Sequence, residues 1–351
     1  MDSVVPGARS VVAAFDKFRH TATALQLCGA VEDVAWERGW TCRVRPVADG
    51  GEGTLDVLLS NGGIRRTTTV TGPLGAPVRA DWLFREGAPG RPAIAFIEMA
   101  RASGLGVIGG AENNRPLDAT TRGTGELAVA ALDAGAQKLV LALGGSATTD
   151  GGLGALEAME PLVRFKGIDV LVACDVETLF VDAARVFGPQ KGATPAQVNL
   201  LTRRLESLAD SYLRDRGVEV RNVVGAGAAG GLAGGLVSMG ARLQSGFSLV
   251  ADEVGLSDAL DGADLVITGE GFLDAESFNG KVVGGVAELA RRAGVGVVVI
   301  CGGREDGLVI PRDYHDTIRQ VFVLSERFGK DRSWSDPLGC IRDLGAELLP
   351  G

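Results

Sequence analysis

Histidine is nearly absent: the 351 residues hold two, His20 and His315. A Ser-His-Asp or Cys-His machine would have to use one of them, and neither sits in a recognisable nucleophile context. A histidine-rich metal site is excluded. The five cysteines, Cys28, Cys42, Cys174, Cys301 and Cys340, are odd in number and include no CxxC pair. They read as buried thiols in a reducing compartment. The longest apolar stretches, such as Val295 to Ile300, fall far short of the ~20 residues that span a bilayer. The N-terminal apolar run is broken by Pro6 and Arg9 and is too short for a signal h-region, so a cytoplasmic protein is expected. Cations are the minority charge: 35 Lys+Arg against 44 Asp+Glu leave a net charge of −9. That balance argues against a large nucleic-acid or anionic-membrane footprint. No GxxxxGK[ST] occurs, so the P-loop signature is missing.

What is abundant is glycine, with 52 residues, about twice ordinary usage. The glycines cluster after apolar runs and before helix-like runs, where backbone N–H groups can approach a ligand closely. Val11–Phe15 reads as a buried strand, Ala24 to Ala35 as a helix and Thr41–Val47 as the next strand, a β-α-β unit that favours a parallel sheet. Thr67–Thr71 and Val78–Phe84 flank Gly72–Pro77 as a hairpin-like excursion. Strands are expected at Ile94–Met99, Lys138–Leu143 and Val170–Ala173. Leu200 to Leu213 marks an amphipathic helix ending near Gly217. The last third is α/β again, with strands at Asp264–Thr268, Val295–Ile300 and Gln320–Leu324 and a helix at Val282–Ala293. Two α/β ends around a mixed centre predict a discontinuous domain, residues 1–66 with 262–351, and an inserted domain, residues 67–261.

Four loops combine glycines with an acid at the carboxyl end of an expected strand: Asp49–Gly53, Gly144–Gly152, Cys174–Glu177 and Gly269–Asp274. Taken singly, each reads as a helix cap. Four on one sheet edge point instead to a ligand, because open α/β sheets bind there. Glycine loops cradle phosphates, and carboxylates hold Mg²⁺ or accept a hydroxyl proton. Lys191 and Lys281 stand in similar turns, and Lys17 and Arg19 follow the first strand. Each is either a solvated cation or a neutraliser of phosphoryl charge. One GxGxxG, Gly225 to Gly230, precedes Asp252 and Glu253 at a dinucleotide-like distance, but the glycines between them read poorly as a crossover. A glycine-rich packing or phosphate-facing turn is the better reading. The residues alone therefore favour phosphoryl transfer to a small polar substrate, which needs positioning and charge neutralisation more than a nucleophilic side chain.

An ordered motif series then resembles one family. It begins with Pro46-Val47-Ala48-Asp49-Gly50-Gly51-Glu52-Gly53-Thr54 and Thr71-Gly72-Pro73-Leu74-Gly75. It continues through Ile97-Glu98-Met99-Ala100, Gly123-Thr124-Gly125-Glu126-Leu127, Gly144-Gly145-Ser146-Ala147-Thr148 and Asp150-Gly151-Gly152. Ala173-Cys174-Asp175-Val176, Val186 to Ala193, Gly225–Gly231, Thr268-Gly269-Glu270-Gly271 and Gly280-Lys281 complete it. The series resembles the bacterial glycerate kinase type I family, in order, from residue 11 to about residue 303. The resemblance implies ATP- and Mg²⁺-dependent phosphorylation of D-glycerate at the 2-hydroxyl, giving 2-phosphoglycerate. It also implies a flavodoxin-like parallel-sheet domain from both chain ends and an inserted mixed α/β domain resembling a restriction-endonuclease fold.

Carried onto this chain, the resemblance and the loop argument place Asp49 and Glu52 near Mg²⁺ or the reacting hydroxyl. Asp175 is the next candidate base. Gly144, Gly145, Ser146 and Thr148 would bind phosphate or carboxylate through backbone N–H groups, with Asp150 beside them. Lys191 and Lys281 would neutralise the transferred phosphoryl group, and Arg19 would clamp an anion. Asp16, Gly50, Gly51, Gly269, Glu270 and Asp274 complete the expected substrate and phosphate site. The expected ligands are D-glycerate and ATP, with no nucleic acid and no membrane, and a homodimer is left open. The chain departs from the family pattern at Asp16-Lys17-Phe18-Arg19, at Asp175-Val176-Glu177-Thr178-Leu179-Phe180, and at Phe272-Leu273-Asp274, where an expected cation is replaced. The segment between Gly152 and Val170 is also shorter than the family's. Alternatives are a kinase of this fold for another small hydroxy acid, a catalytically weak nucleotide- or anion-binding module, and a dinucleotide oxidoreductase.

Overall fold

Val11 to Phe15 are completely buried, as a strand covered on both faces of a parallel sheet must be. They form the strand Ser10–Phe15 of a five-stranded, wholly parallel sheet. The computed structural model describes residues 9–351; the Pro6 break lies outside them. The chain divides into two units, Met1–Asp49 with Phe247–Gly351 and Gly50–Gly246, here called unit 1 and unit 2.

In unit 1 the strands lie in the order Ile318–Val323, Gly296–Cys301, Leu265–Gly269, Ser10–Phe15, Thr41–Val44. Numbered along the chain within the unit, that is 5-4-3-1-2. The order therefore reverses between Ser10–Phe15 and Leu265–Gly269, the kind of switch point where open α/β sheets form a ligand crevice. Asp16 directly follows the first of these strands and Glu270 the second. The helix Ala24–Glu37 starts on a capping box, in which Thr23 and Gln26 satisfy each other's backbone N–H groups. It buries Leu27, Cys28, Val31 and Val34 in one core with Ile341 and Leu344 of the helix Pro337–Leu348.

Unit 2 carries a six-stranded sheet in chain order. Ile64–Thr71 and Pro77–Arg85 are antiparallel, as the alternation predicts, and Pro77–Arg85 pairs antiparallel with Ile94–Glu98. From there Ile94–Glu98, Lys138–Ala142, Asp169–Ala173 and Arg242–Gln244 are parallel. Phe96, Leu139, Leu141 and Val172 are almost fully buried. The helix Pro195–Arg216 ends at Gly217, whose φ of 70° closes it. Its buried Leu201, Leu205, Ala209 and Tyr212 pack around Phe180. Among the described residues no helix is long and apolar enough to cross a membrane.

The unit boundaries fall earlier in the chain than 66 and 261. Residues 50–66 go with unit 2, because the helix Thr54–Ser60 packs on the strands Pro77–Arg85 and Ile94–Glu98 and Leu55 N donates to Glu98 Oε1. Residues 247–261 go with unit 1: Phe247 packs against Gly285, and the carbonyls of Ala259 and Asp261 accept from Arg43. The dinucleotide reading of Gly225 to Gly230 fails here. No strand precedes it, and the segment is an irregular turn with Ala229 at φ 53°, packed against the Thr148 carbonyl.

Candidate active site

In unit 1 the carboxyl edge of the sheet opens into a cleft of ≈ 850 Å³, a size that holds a nucleotide-scale ligand. It brings together Asp16, Arg19, Asp49, Glu270, Asp274 and Lys281 of the residues expected from sequence. Asp16 follows its strand directly, with Lys17 N donating to Asp16 Oδ1 at 2.7 Å. Burial pushes the Asp16 carboxyl up to about 6, and the Asp49 carboxylate adds to that shift against the pull of Lys17. Burial likewise pushes Glu270 up to about 7, helped by Asp16 and Asp274 and opposed by the Ser277 hydroxyl and Lys281. Glu270 Oε1 is buried with no hydrogen-bond partner. Two carboxyls that titrate near neutrality at a switch-point crevice have the properties of proton-transfer groups.

Three expected residues of this unit have local duties. Asp274 caps the turn Ala275–Phe278, its Oδ1 accepting from Ser277 N at 3.0 Å. The Lys281 ammonium donates to Glu276 Oε2 at 2.8 Å. Gly269 does not line the cleft; a Cβ there would stand 1.7 Å from the Ile300 carbonyl oxygen, so this glycine permits the sheet to close.

In unit 2 the carboxyl edge gathers Gly50, Gly51, Gly144 and Asp175. Gly50 has φ 80°, and a Cβ on it would stand 2.8 Å from Gly246 Cα and 2.9 Å from Ala173 Cβ; only glycine fits. Gly144 approaches Gly51. Asp175 is exposed and its Oδ1 accepts from Gly246 N at 2.9 Å. Glu52 is exposed on the same unit, in the loop that leads into the helix Thr54–Ser60.

The Gly144–Asp150 loop turns inward more than its sequence suggests. Ser146 is 7% exposed, Thr148 0% and Lys191 2%. Lys191 Nζ donates to Ser146 Oγ and to the Thr148 carbonyl, both at 2.7 Å. Burial pulls the Lys191 ammonium down to about 7. The Ala147 N–H donates to the Ser103 carbonyl and is committed to the fold. Asp150 Oδ2 accepts from Thr121 N and Thr121 Oγ1, both at 2.8 Å, and lines a second cavity of ≈ 640 Å³ beside Leu201 and Leu205. Gly145 stays exposed at the tip. Among the described residues no three His, Cys, Asp or Glu side chains are grouped to hold a metal by themselves.

Three features were given no role by the sequence reasoning. His20 lines the unit 1 cleft with φ 65°, a backbone strain that composition cannot reveal. Glu98, buried to 2%, accepts from Leu55 N and pairs with Arg101. The aromatic rim of the unit 1 cleft, Phe272 and Trp334, carried no motif, although both rings are exposed.

Known proteins resemble this chain along most of its length. A family model described as "Glycerate kinase family" matches residues 11–163 and 160–336. The two matched pieces overlap at residues 160–163. A protein named glycerate 2-kinase from Escherichia coli K12 is 40% identical over 294 residues, covering 74% of this chain and 76% of its own. A glycerate kinase from Halalkalibacterium halodurans is 38% identical over 334 residues, covering 85% and 86%. Among solved structures, a crystal structure described as "putative glycerate kinase 2 from Salmonella typhimurium LT2" matches with a TM-score of 0.82 at 33% identity, covering 97% of this chain and 98% of that one.

Proposed function

The chain belongs to the glycerate kinase family, and from that premise we propose that it transfers the γ-phosphoryl group of ATP to the 2-hydroxyl of D-glycerate, giving 2-phosphoglycerate. The observation that carries the reading is the cleft at the switch point of unit 1, where Asp16, Asp49 and Glu270 converge with Arg19 and Lys281. Phosphoryl transfer needs a polyanion held in line and its charge neutralised, and this cleft offers both signs of charge. We read unit 1 as flavodoxin-like on its strand order, and unit 2 as resembling a restriction-endonuclease fold.

Arg19 and Lys281 are assigned to the phosphates. Asp49 is assigned to Mg²⁺, which takes one or two carboxylates along with substrate phosphates; Asp16 and Glu270 line the same cleft. The partnerless Glu270 Oε1 is an acceptor that such a cation would satisfy. Bound there, Mg²⁺ would supply charge neutralisation at the phosphates. Glu52, expected with Asp49 at the metal, belongs to unit 2. Within unit 2, exposed Asp175 is assigned as the base that takes the acceptor's hydroxyl proton, with its orientation set by the Gly246 N–H. Lys191 is assigned to hold the Gly144–Asp150 loop.

The test is a coupled ADP-release assay with Mg²⁺-ATP and D-glycerate, against L-glycerate and no acceptor, with NMR of the product. D-glycerate-dependent release with phosphate on C2 is the expected result. Release on a different hydroxy acid of a substrate panel, and none on D-glycerate, would move the assignment to a related acceptor. Release on no acceptor would overturn it.

A further inference from the structure

Two large aromatic side chains stand open to solvent on the rim of the unit 1 cleft. Phe272 is 55% exposed and Trp334 is 63% exposed, and both line it. Among the described residues, neither ring stacks on another aromatic or lies under a guanidinium, although such pairs occur elsewhere in the unit, as at Phe15–Phe18 and Arg332–Phe328. Their backbones are nevertheless fixed. Phe272 pairs with Gly303 in a short parallel ladder, and its ring runs alongside Gly303, where a Cβ would stand 3.3 Å from the ring. Trp334 rides on the helix Lys330–Ser335, which Arg332 ties to Asp343 at 2.7 Å. Two fixed rings left in water forgo the burial that aromatic side chains normally gain.

We propose that Phe272 and Trp334 form the nucleobase subsite of this cleft, taking the purine ring of the phosphoryl donor while its phosphates run toward Arg19 and Lys281. The inference rests on the kinase reading of the same cleft and assigns one part of it. Glycerate has three carbons, a carboxylate and two hydroxyls; it presents no π-face and little apolar surface, so these rings gain nothing from it. A purine presents a flat face to each ring. Ser325 and Ser333 also line the cleft; the Ser333 hydroxyl donates to the Lys330 carbonyl at 2.9 Å and keeps its lone pairs for a ribose hydroxyl.

The test reads nucleotide binding apart from turnover. The full-length protein is titrated calorimetrically with ADP, and by tryptophan fluorescence with adenosine, which carries no phosphate. Phe272→Ala and Trp334→Ala are each expected to weaken ADP about tenfold, in line with the loss of one base–aromatic stack. The melting temperature should hold, because both rings are exposed. Trp334→Phe should restore ADP affinity and abolish the fluorescence change with adenosine. The KM for D-glycerate should not move. Unchanged ADP affinity in both alanine variants would overturn the subsite, as would a rise in the D-glycerate KM without one for ATP, or wild-type protein that binds neither adenosine nor ADP. Nucleotide binding that falls in the variants of a protein that turns over no hydroxy acid would keep the subsite and discard the kinase reading.

Discussion

Lys191 Nζ lies 2.7 Å from Ser146 Oγ, and the lysine is 2% exposed. An ammonium committed to a hydroxyl and to the Thr148 carbonyl fixes the Gly144–Asp150 loop from behind. Burial pulls its pKa from 10.5 to about 7. The sign follows from linkage: between about 7 and 10.5 the unfolded chain holds a proton that the folded chain has released, so folding gains stability as pH rises through that window. Below about 7 both states are charged and the burial penalty stands in full. Lys191→Met removes this dependence. Urea unfolding of both proteins at pH 6, 7.5 and 9 should show the wild type gaining on the variant by up to about 1.4 kcal/mol per pH unit above pH 7. A difference that stays flat across the three pH values would mean that the ammonium is hydrated.

Glu270 presents the opposite sign. Burial raises its folded pKa to about 7 from the ordinary glutamate value of 4.5, so the folded state holds a proton that the unfolded state has lost between those values. Stability from this group is therefore present below about pH 4.5 and is lost as pH rises through 7. Glu270→Gln should stabilise the protein at pH 8 relative to wild type, by on the order of 2–3 kcal/mol, with little change at pH 4.5. The same variant should lose most of its activity. Equal melting temperatures of variant and wild type at pH 8 would contradict the burial of this carboxyl.

Much of this architecture was legible because parallel strands are written as short apolar runs. Val11–Phe15, Lys138–Leu143 and Val295–Ile300 each became a strand within a residue or two. Gly217 ended its helix because only a left-handed residue closes it cheaply. The Gly/acid loops did fall at carboxyl edges of sheets. What sequence could not supply was direction. Ser146 and Lys191 look like ligands in a motif, yet their side chains bond each other inside unit 2, with the Thr148 carbonyl taking a second bond from the lysine, because a loop's sequence does not say which way its side chains turn. The boundary near residue 50 was missed because Thr54–Ser60 carries no mark of the strands it packs on. Phe272 read only as a missing cation; its exposure on the cleft that Trp334 also lines is a property of the fold.

Asp49 and Asp175 carry the catalytic assignment in their respective units. Asp49→Asn and Asp175→Asn remove a charge while keeping shape, so the melting temperature should move by less than about 2 °C. kcat/KM for D-glycerate should fall at least about 100-fold in Asp175→Asn, the usual scale for a lost acid–base group, and on the same order in Asp49→Asn through the lost Mg²⁺ donor. Near-native kcat/KM in both would remove these residues from the reaction. A loss confined to Asp175→Asn would leave Asp49 as a bystander in the cleft.

Glu98 yields a prediction about stability alone. Its carboxylate is 2% exposed and accepts from Leu55 N at 2.8 Å, at the start of the helix Thr54–Ser60. Its other oxygen accepts from Arg101 Nε at 2.9 Å. The helix enters from a glycine N-cap with no side-chain cap of its own, so Glu98 does from a neighbouring strand what an N-cap residue does locally. Glu98→Ala leaves a buried N–H without an acceptor, which costs about 1–3 kcal/mol. Glu98→Gln keeps an oxygen for Leu55 but weakens the Arg101 contact, and should cost less than half as much. Urea unfolding at pH 7 separates the two variants. Equal losses would place the stabilisation in the Arg101 pair rather than in the helix start, and no loss in Glu98→Ala would mean that water reaches the Leu55 N–H.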